Sequence, residues 1–439
     1  MTLTRFLLAQ LHIQSLARKI TLKRARASLD NLPETLDEIY DEAMERIRTQ
    51  DHDRCELAYR LLCWIIYAFE PMNLEAIQHA LLAMSLDSDL GSVDDEDYPA
   101  SHLLITVCAG LVVIDEESNV IRLVHHTTQE YFDRRRRTIF PSAQLNITQA
   151  CVKYLLQPVF VEGPCSTEIK LIDRNHEYGF FKYAASHWGN HARGAPESNS
   201  GPLILALLNN ELSLASLVQE MVDENYVHRG LDQAYVESVS ALCVAASFGL
   251  VTVASFLISR GAGIMGRGSD GSTALHHAVW GGHVETSKVI IQNKADVNAI
   301  AIVDGIEQSV LQGAAARGYS AVVHLLLEHG AKVHFADANG RTALHHAAQN
   351  GHEEVVGQLV QFGADIQAVD RIGETAMSKA NKHGHEKVIR VLSGHWKDQI
   401  SATRQSCMLL QYAANSGDNL LFERVVLELR KDAGLLKDK

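Results

Sequence analysis

The hexapeptide Thr-Ala-Leu-His-His-Ala occurs twice, at Thr273–Ala278 and at Thr342–Ala347. Aligning the second half of the sequence on the pattern Ala-x-x-x-Gly extends this recurrence to six blocks. They are SALCVAASFGL from 240, TALHHAVWGGH from 273, SVLQGAAARGY from 309, TALHHAAQNGH from 342, TAMSKANKHGH from 375 and the degenerate MLLQYAANSGD from 408. Successive blocks begin 33, 36, 33, 33 and 33 residues apart. The second half is therefore predicted to be an array of repeated helix pairs.

The repeated residue types have distinct structural roles. Thr273 is predicted to be the N-cap of a helix and to accept hydrogen bonds from the free amides of the first turn. An alanine in each block leaves room for close packing of the paired helices, and a glycine ends the first helix in the left-handed conformation. The alanines are Ala245, Ala278, Ala314, Ala347, Ala380 and Ala413, and the glycines are Gly282, Gly318, Gly351 and Gly384. One unit cannot bury its apolar face alone, so neighbouring units must stack.

The period of 33 residues, the Thr-Ala-Leu-His-x-Ala signature and the Gly-Ala-Asp turns resemble the ankyrin repeat family. The resemblance covers residues 238–430, about six units, of which the last is degenerate. It implies an α-solenoid in which His276 and His345 order the turn by hydrogen bonds to nearby backbone. The third unit, AIAIVDGIEQSVLQGAA, carries three extra residues. We expect this insertion in the turn, either as a distinctive finger or as neutral drift.

The doubled histidines suggest a metal site, which the expected geometry excludes. His277 and His346 each follow a structural histidine, so they point about 100° away from it around the helix. One repeat lies between them, and helices pack about 8–10 Å apart, whereas zinc binds nitrogen at about 2.1 Å. His187 and His191 have helical i, i+4 spacing, but no third ligand is evident. We predict no metal ion, no cofactor and no catalytic residue.

The second histidines are instead expected to be exposed on a partner-binding surface. The resemblance to ankyrin arrays implies that this helix face, with the preceding turn, is the concave binding surface. Tryptophan and arginine are favoured anchors of protein interfaces, which draws attention to Trp280 and Arg317. The alternative for any single residue is an ordinary solvated position. The predicted surface comprises His277, Trp280, Gly313, Arg317, His346, Gln349, Asn350, Lys379 and Lys382.

The first half predicts helices followed by a β-hairpin. One helical stripe contains Leu36, Ile39, Tyr40, Ala43, Met44 and Ile47, and two more helices lie in ELAYRLLCWIIYAF and NLEAIQHALLAM. LVVID and VIRLVH flank the turn EESN, and Thr127 with Glu130 fits a capping box that opens the next helix. We assign 1–54 to a helical segment, 55–140 to a winged-helix-like domain, 141–192 to a helical region, 193–202 to a linker and 203–237 to a helical connector.

The motif Leu-Pro-x-x-Leu-x-x-x-Tyr, taken with RLVHHTTQEYF, resembles the segment that follows the nucleotide-binding core in fungal NACHT-type signalling ATPases. In that family the segment is a winged helix like that of inositol-deacylase relatives, and ankyrin repeats often follow. The resemblance implies a regulatory arm rather than a DNA reader. The sequence contains no Gly-x-x-x-x-Gly-Lys-[Ser/Thr] motif, so residues 1–54 are expected to follow a missing NACHT core. The chain is then a fragment, the product of a wrongly delimited gene or a natural adaptor without its motor.

Composition further restricts the classes of partner and the cellular compartment that the sequence predicts. Lys+Arg number 40 against 53 Asp+Glu, a net charge of −13, which disfavours nucleic acid as a partner. Seven scattered cysteines indicate reduced thiols, and the longest apolar run, LLCWIIYAF, is too short to span a membrane. We predict a mostly α-helical, non-enzymatic scaffold or adaptor for a protein partner in the cytoplasm, with nuclear import through the RRRR run at Arg134–Arg137 left open. The alternative is the regulatory and sensor half of a NACHT/STAND switch whose ATPase, and with it the nucleotide site, is encoded upstream.

Overall fold

The computed structural model describes residues 35–85, 98–221 and 233–399, with five further single residues between 410 and 426. The chain divides into two compact units, residues 1–231 and residues 232–439. The fold is mostly α-helical, with two short two-stranded antiparallel sheets among the described residues, which confirms the predicted fold class. Most of the sixth predicted repeat, most of the acidic stretch 87–99 and residues 1–34 lie outside the described residues.

The described residues of unit 1 form four helices, a β-hairpin and eight more helices. These elements are α1 (Leu36–Arg48), α2 (His52–Tyr67), α3 (Leu74–Ser85), α4 (Ser101–Val107), β1 (Val112–Ile114), β2 (Ile121–Leu123), α5 (His126–Ile139), α6 (Ala143–Leu155), α7 (Pro158–Val161), α8 (Glu168–Glu177), α9 (Phe181–Ala192), α10 (Ala195–Asn199), α11 (Gly201–Leu208) and α12 (Glu211–Met221).

The elements predicted at the start of unit 1 are confirmed, with one correction. Helix α1 buries Tyr40, Ala43, Met44 and Ile47, four residues of the predicted stripe. Strands β1 and β2 pair antiparallel with Val113 opposite Arg122. The predicted Thr127–Glu130 capping box is wrong, because the N-cap of α5 lies two residues earlier than Thr127. Its N-cap is His125, whose Nδ1 accepts a hydrogen bond from the Thr127 amide at 3.3 Å.

The core of unit 1 is built from large aromatic side chains. The rings of Trp64 and Phe180 lie 5.2 Å apart at nearly right angles, and those of Phe160 and Phe181 stack at 4.1 Å. His191 belongs to this core. Its Nε2 lies 2.8 Å from the Tyr183 hydroxyl, and its Nδ1 lies 2.7 Å from Gln144 Oε1. Burial lowers the pKa of His191 to about 3. This histidine therefore acts as a neutral packing residue.

Two polar segments of unit 1 are more ordered than their composition suggests. Residues 193–202, predicted to be a linker, contain α10, and Glu197 is only 3% exposed, so the linker prediction is wrong. In the RRRR run, Arg134 donates to Asp37 at 2.6 Å and Arg135 pairs with Asp41, both on α1. Two of the four arginines thus attach α5 to α1.

The described residues of unit 2 contain the repeats, preceded by one short helix. Its elements are α13 (Gln233–Ser238), α14 (Ala241–Ser247), α15 (Val251–Ser259), α16 (Ala274–Trp280), α17 (Val284–Gln292), β3 (Ile300–Val303), β4 (Ile306–Ser309), α18 (Val310–Arg317), α19 (Ser320–Glu328), α20 (Ala343–Gln349), α21 (Glu353–Gln361), α22 (Ala376–Lys382) and α23 (Glu386–Gln399).

The helices of unit 2 form two stacked rows. The inner row is α14, α16, α18, α20 and α22, and the outer row is α15, α17, α19, α21 and α23. The block alanines of the inner row are fully buried, as predicted for closely packed helices. The glycines that end the inner helices are left-handed, with φ between 71° and 78°. These local features confirm the repeat alignment over the described units.

The three-residue insertion forms a β-hairpin, here called the long finger. Strands β3 and β4 pair antiparallel, with Ile300 opposite Ser309 at one end and Val303 opposite Ile306 at the other. Asp304 and Gly305 form the two-residue turn, with φ of 52° and 75°. The Ile302 amide donates to the Asp270 carbonyl at 2.7 Å, which fixes the hairpin to the preceding turn. The insertion is therefore a structured finger.

Among the described residues, one bent helix pair meets the length and hydropathy expected of a membrane span. No single helix of the described chain is long and apolar enough to cross a bilayer. Helices α11 and α12 pass together by length and composition, but they are bent by 89° to each other. Seven residues of α12, from Leu214 to Glu220, are buried in succession.

Candidate partner-binding surface

The first histidine of each doublet orders the start of an inner helix, as predicted. His276 Nδ1 accepts from the Thr273 amide at 3.2 Å, and His345 makes the same bond with Thr342. His345 Nε2 also lies 3.1 Å from the Glu374 carbonyl in the following unit. Both rings are 1% exposed, and burial lowers the pKa of His276 to about 3. These histidines are structural and are inaccessible to a partner.

A second set of histidines links successive units, and the sequence argument missed it. The Nε2 atoms of His283, His352 and His385 lie 2.8 to 3.0 Å from carbonyl oxygens of the preceding unit. Each of these histidines follows the glycine that ends an inner helix. The recurring Gly-His pair was the sequence signal that could have identified them.

The second histidine of each doublet is less exposed than predicted. His277 Nε2 lies 3.3 Å from the Ser272 hydroxyl, and the His346 side chain, 16% exposed, contacts Asp337 Oδ2 at 3.1 Å. Burial lowers the pKa of His277 to about 4 and also lowers that of His346. The expectation of exposure is wrong because the preceding turn folds back over this position of the helix.

Lys379 occupies the same repeat position, and its predicted exposure is also wrong. Its ammonium is 2.8 Å from Asp370 Oδ2 and 2.7 Å from Glu374 Oε2, and its side chain is 5% exposed. Burial raises the pKa of Asp370, but hydrogen bonds from Lys379 and the backbone outweigh it, so this pKa is lowered. The hydrogen bond from Lys379 also lowers the pKa of Glu374. Lys379 therefore completes an internal ion network and is not an exposed contact. Lys382, in contrast, is exposed and touches Glu374 at 3.2 Å.

The structure brings Trp280 and Arg317 close together. The Arg317 guanidinium carbon lies 5.9 Å from the Trp280 ring, and Arg317 Nη1 donates to the Gly313 carbonyl at 3.2 Å. A Cβ atom on Gly313 would lie 2.9 Å from Trp280 Nε1, so a glycine makes room for the indole. Trp280 is half-buried and Arg317 is exposed. An aromatic–cation pair thus bridges two inner helices.

Polar residues continue this face along the next inner helix. Asn350 is exposed, and its Nδ2 donates to the Ala316 carbonyl at 2.7 Å. Gln349 is half-buried, and its carbonyl lies 2.9 Å from His385 Nε2. Gln349 is the last residue of α20, and Asn350 is its C-cap.

Aliphatic side chains in the turns that precede the inner helices are also exposed, and the sequence analysis did not include them. Ile302 on the long finger is 46% exposed, and Val369 and Ile372 in the turn before α22 are 57% and 70% exposed. We name the finger-and-helix surface as the set Trp280, Ile302, Arg317, Gln349, Asn350, Val369, Ile372 and Lys382. In the part of the chain that the structure describes, no cluster of three or more His, Cys, Asp or Glu side chains could hold a metal ion.

Two family models match parts of the chain. Residues 203–301 and 311–406 match the family of ankyrin repeats, and residues 44–138 match the winged-helix domain of GPI inositol-deacylase. The first ankyrin match begins at 203, so it includes α11 and α12 in the segment predicted to be a connector. Winged-helix domains of this kind are linked to NACHT-type proteins.

Three curated relatives are similar over parts of the chain. The azaphilone pigments biosynthesis cluster protein L of Monascus ruber is 28% identical over 183 residues, covering 37% of this chain and 36% of that protein. The ankyrin repeat and KH domain-containing proteins mask of Drosophila melanogaster and 1 of Homo sapiens are 35% and 32% identical over 103 residues, 24% of this chain. They are matched over 2% and 4% of their own lengths.

The chain spans little more than a third of the length of the first relative and far less of the other two. These matches agree with the repeat geometry and with the hairpin-containing first unit. Ankyrin repeats imply a protein-interaction role. The chain contains an array of ankyrin repeats that follows a winged-helix domain similar to that of GPI inositol-deacylase.

Proposed function

We propose that the chain is a non-enzymatic adaptor that binds a protein partner through the finger-and-helix surface. The observation that carries this proposal is the Trp280–Arg317 pair, and Ile302, Val369 and Ile372 in the same array are also exposed. Aromatic and arginine side chains dominate the affinity of protein interfaces, and exposed apolar patches mark interaction sites.

The charge and the repeat class favour a protein over the other ligand classes. A chain with a net charge of −13 repels a phosphate backbone. Ankyrin repeats generally act as interaction modules rather than catalysts. An interface of ordinary size, about 1,200–2,000 Å² in total, would cover several units.

We further propose that this adaptor acts in the cytoplasm in fungal signalling or non-self recognition. The fungal relative and the winged-helix match support that setting. A second candidate is the regulatory and sensor half of a NACHT/STAND switch with its ATPase encoded upstream. The order of the domains, with residues 44–138 preceding the repeats, favours it. In that case the repeats would bind the ligand and the winged helix would transmit the signal.

The adaptor proposal is tested with two matched double variants. Arg317→Ala with Ile372→Ala removes an exposed cation and an exposed aliphatic group from the finger-and-helix surface. Phe256→Ala with Arg260→Ala removes an aromatic–arginine pair of the same 5.9 Å separation from the outer row. Proteins retained from a source-cell extract are quantified by mass spectrometry, and the principal one is purified for affinity measurement.

The first double variant is expected to weaken that affinity by about 30-fold, the equivalent of a binding hot spot. The outer-row control is expected to bind like the wild type. Equal affinities for all three proteins would overturn the proposed surface. The two candidate functions are separated by the intact mass of the endogenous protein, since the switch requires a product much heavier than 48.5 kDa.

A further inference from the structure

The two edges of the long finger differ in their backbone hydrogen bonds. The β3 edge is occupied, because the Ile302 amide donates to the Asp270 carbonyl of the preceding turn at 2.7 Å. Further along the array, the Arg371 amide donates in the same way to the Asn339 carbonyl at 2.9 Å. Among the residues that the structure describes, no such bond joins β4 to the turn that follows it. The series of hydrogen bonds between successive turns is therefore interrupted at β4.

Glu307 carries the outward backbone groups of this edge. It lies opposite Ile302 in the hairpin, and antiparallel residue pairs alternate between those that bond to each other and those that do not. Because Ile302 directs its amide away from β4, toward Asp270, Glu307 directs its own amide and carbonyl away from β3. Within the described chain, neither group has a hydrogen-bond partner. Such an edge is a template for an additional strand.

The side chains beside this edge are acidic. Asp304 in the turn and Glu307 on β4 are both exposed. In the part of the chain that the structure describes, neither carboxylate forms an ion pair or a hydrogen bond. Arg267 contacts the opposite edge of the hairpin, where its Nη1 donates to the Ile300 carbonyl at 3.2 Å. A residue opposite Glu307 in an added strand would lie on the same side of the sheet, where opposite charges attract.

Strand β4 is continuous with the Trp280–Arg317 pair. Gln308 follows Glu307, so its side chain points to the other face of the hairpin. A Cβ atom on Gly313 would lie 3.3 Å from Gln308 Oε1 and 2.9 Å from Trp280 Nε1. A segment that pairs with β4 therefore lies beside the aromatic–cation pair.

We propose that the protein partner contributes an extended segment that adds to β4 as an antiparallel third strand, with a lysine or arginine opposite Glu307. The Glu307 amide and carbonyl exchange both backbone bonds with that residue. This inference rests on the proposed adaptor function and specifies the partner as a basic peptide strand. It also gives a role to the three-residue insertion, since the turns before α20 and α22 each form only an isolated bridge.

Four fluorescein-labelled peptides test the proposal on the full chain by fluorescence polarisation. The first is Ser-Thr-Val-Lys-Val-Thr-Ser, and the second has glutamine in place of lysine. The third carries an N-methyl group on the lysine amide, and the fourth carries it on the next valine, whose amide points away from β4. The lysine peptide is expected to bind about threefold more tightly than the glutamine peptide. It should bind about tenfold more tightly than the third peptide, which cannot donate to the Glu307 carbonyl, and like the fourth.

Three variants locate the binding. Glu307→Gln removes the charge and should make the lysine and glutamine peptides bind equally. Glu307→Pro also removes the outward amide, and proline is tolerated at edge positions whose N–H faces outward. This variant should weaken the lysine peptide about tenfold. Glu285→Gln, at an exposed glutamate of α17 in the outer row, is the matched control and should bind like the wild type.

Equal affinity for the two N-methylated peptides would overturn strand addition, as would unchanged binding of the lysine peptide by Glu307→Pro. An undiminished preference for lysine in Glu307→Gln would overturn the pairing with that carboxylate. If Glu307→Pro fails to fold in circular dichroism melting, the peptides and Glu307→Gln still decide. The adaptor proposal is judged separately, by the affinity of the captured partner for Arg317→Ala with Ile372→Ala, so the failure of either proposal can be recognised.

Discussion

Unit 1 and the repeat array bury apolar surface in different ways. In unit 1, Trp64 contacts Phe180, a residue more than a hundred positions away in sequence, and both are fully buried. In the array, most of the buried inner-helix positions are alanines and aliphatic residues, and the linking hydrogen bonds join residues about one repeat apart, as from His352 to Ala316. Unit 1 therefore depends on a few large non-local contacts, whereas the array depends on many small local ones.

This difference predicts different responses to damage. A core of interlocking aromatic residues unfolds as one cooperative body. A repeat array is close to a one-dimensional system, in which each unit interacts with its nearest neighbours. The substitutions below are chosen to break or to sharpen that contrast.

Trp64→Ala is expected to cause the largest loss. It removes a fully buried ring that also contacts Tyr183 at 5.9 Å, and such truncations cost about 3–5 kcal/mol. Urea denaturation followed by circular dichroism measures the free energy of unfolding. Ile172→Ala, at a residue 60% exposed, is the control and should change it by less than about 0.5 kcal/mol. A loss below about 1 kcal/mol at Trp64 would remove the aromatic cluster as the source of stability in unit 1.

Leu344→Ala is expected to cost about 2–5 kcal/mol, because Leu344 is 1% exposed in a central inner helix. The loss of amide hydrogen-exchange protection should be greatest in α18–α21 and smaller in α14 and α15. Ile372→Ala, 70% exposed, should leave protection unchanged. Uniform loss across all units would contradict the nearest-neighbour description of the array.

The fold of the array could be predicted because its rules are local. A left-handed glycine, a small alanine and a threonine cap act within a few residues of their own positions, so the period alone located them. In unit 1 the helices and the hairpin were predicted for the same reason. The contact between Trp64 and Phe180 has no local signal, and the linker prediction failed because burial of Glu197 depends on tertiary packing.

The candidate surface was predicted less well, for a related reason. The helical period correctly predicted that the side chains of His346 and Lys379 point away from the direction of the preceding residue, which is the structural histidine position of the repeat. It could not show that Asp337 and Asp370, nine residues earlier, fold back onto those side chains. Trp280 and Arg317 were found because residue type and repeat alignment sufficed. Ile302, Val369 and Ile372 were missed because they lie in the hairpin and in a turn between helices, where no helical period identifies exposed positions.

Gly318→Ala and Gly363→Ala separate backbone strain from the packing between units. Both glycines are left-handed, at φ 75° and 88°, which costs an alanine about 1–2 kcal/mol. A Cβ at Gly363 would meet no atom within 4 Å, whereas one at Gly318 would lie 2.5 Å from His352 Nδ1. Gly318→Ala should therefore lose about 1 kcal/mol more, through the His352–Ala316 hydrogen bond. Equal losses by urea denaturation would show that the Gly-His pairs contribute little to coupling between units.

The smallest expected effect is a change in pH dependence, and the array supplies its own control residue. His276 has a pKa of about 3 in the folded protein and an ordinary pKa near 6.5 when unfolded. Above pH 6.5 both forms are neutral. As the pH falls below 6.5 only the unfolded chain gains the proton, so stability falls continuously toward pH 3.

In the third unit Gln312 takes the place of this histidine, and the Ser309 amide donates to its Oε1 at 2.9 Å. His276→Gln should therefore keep the helix cap and lose stability only slightly at pH 7. Between pH 7 and pH 5.5 the free energy of unfolding of the variant should fall by about 1 kcal/mol less than that of the wild type. The reason is that the variant lacks the histidine that takes up a proton on unfolding. Urea denaturation at the two pH values measures this difference. Parallel losses in both proteins would show that His276 takes up a proton without unfolding, and that the inner helices are less tightly closed than their burial indicates.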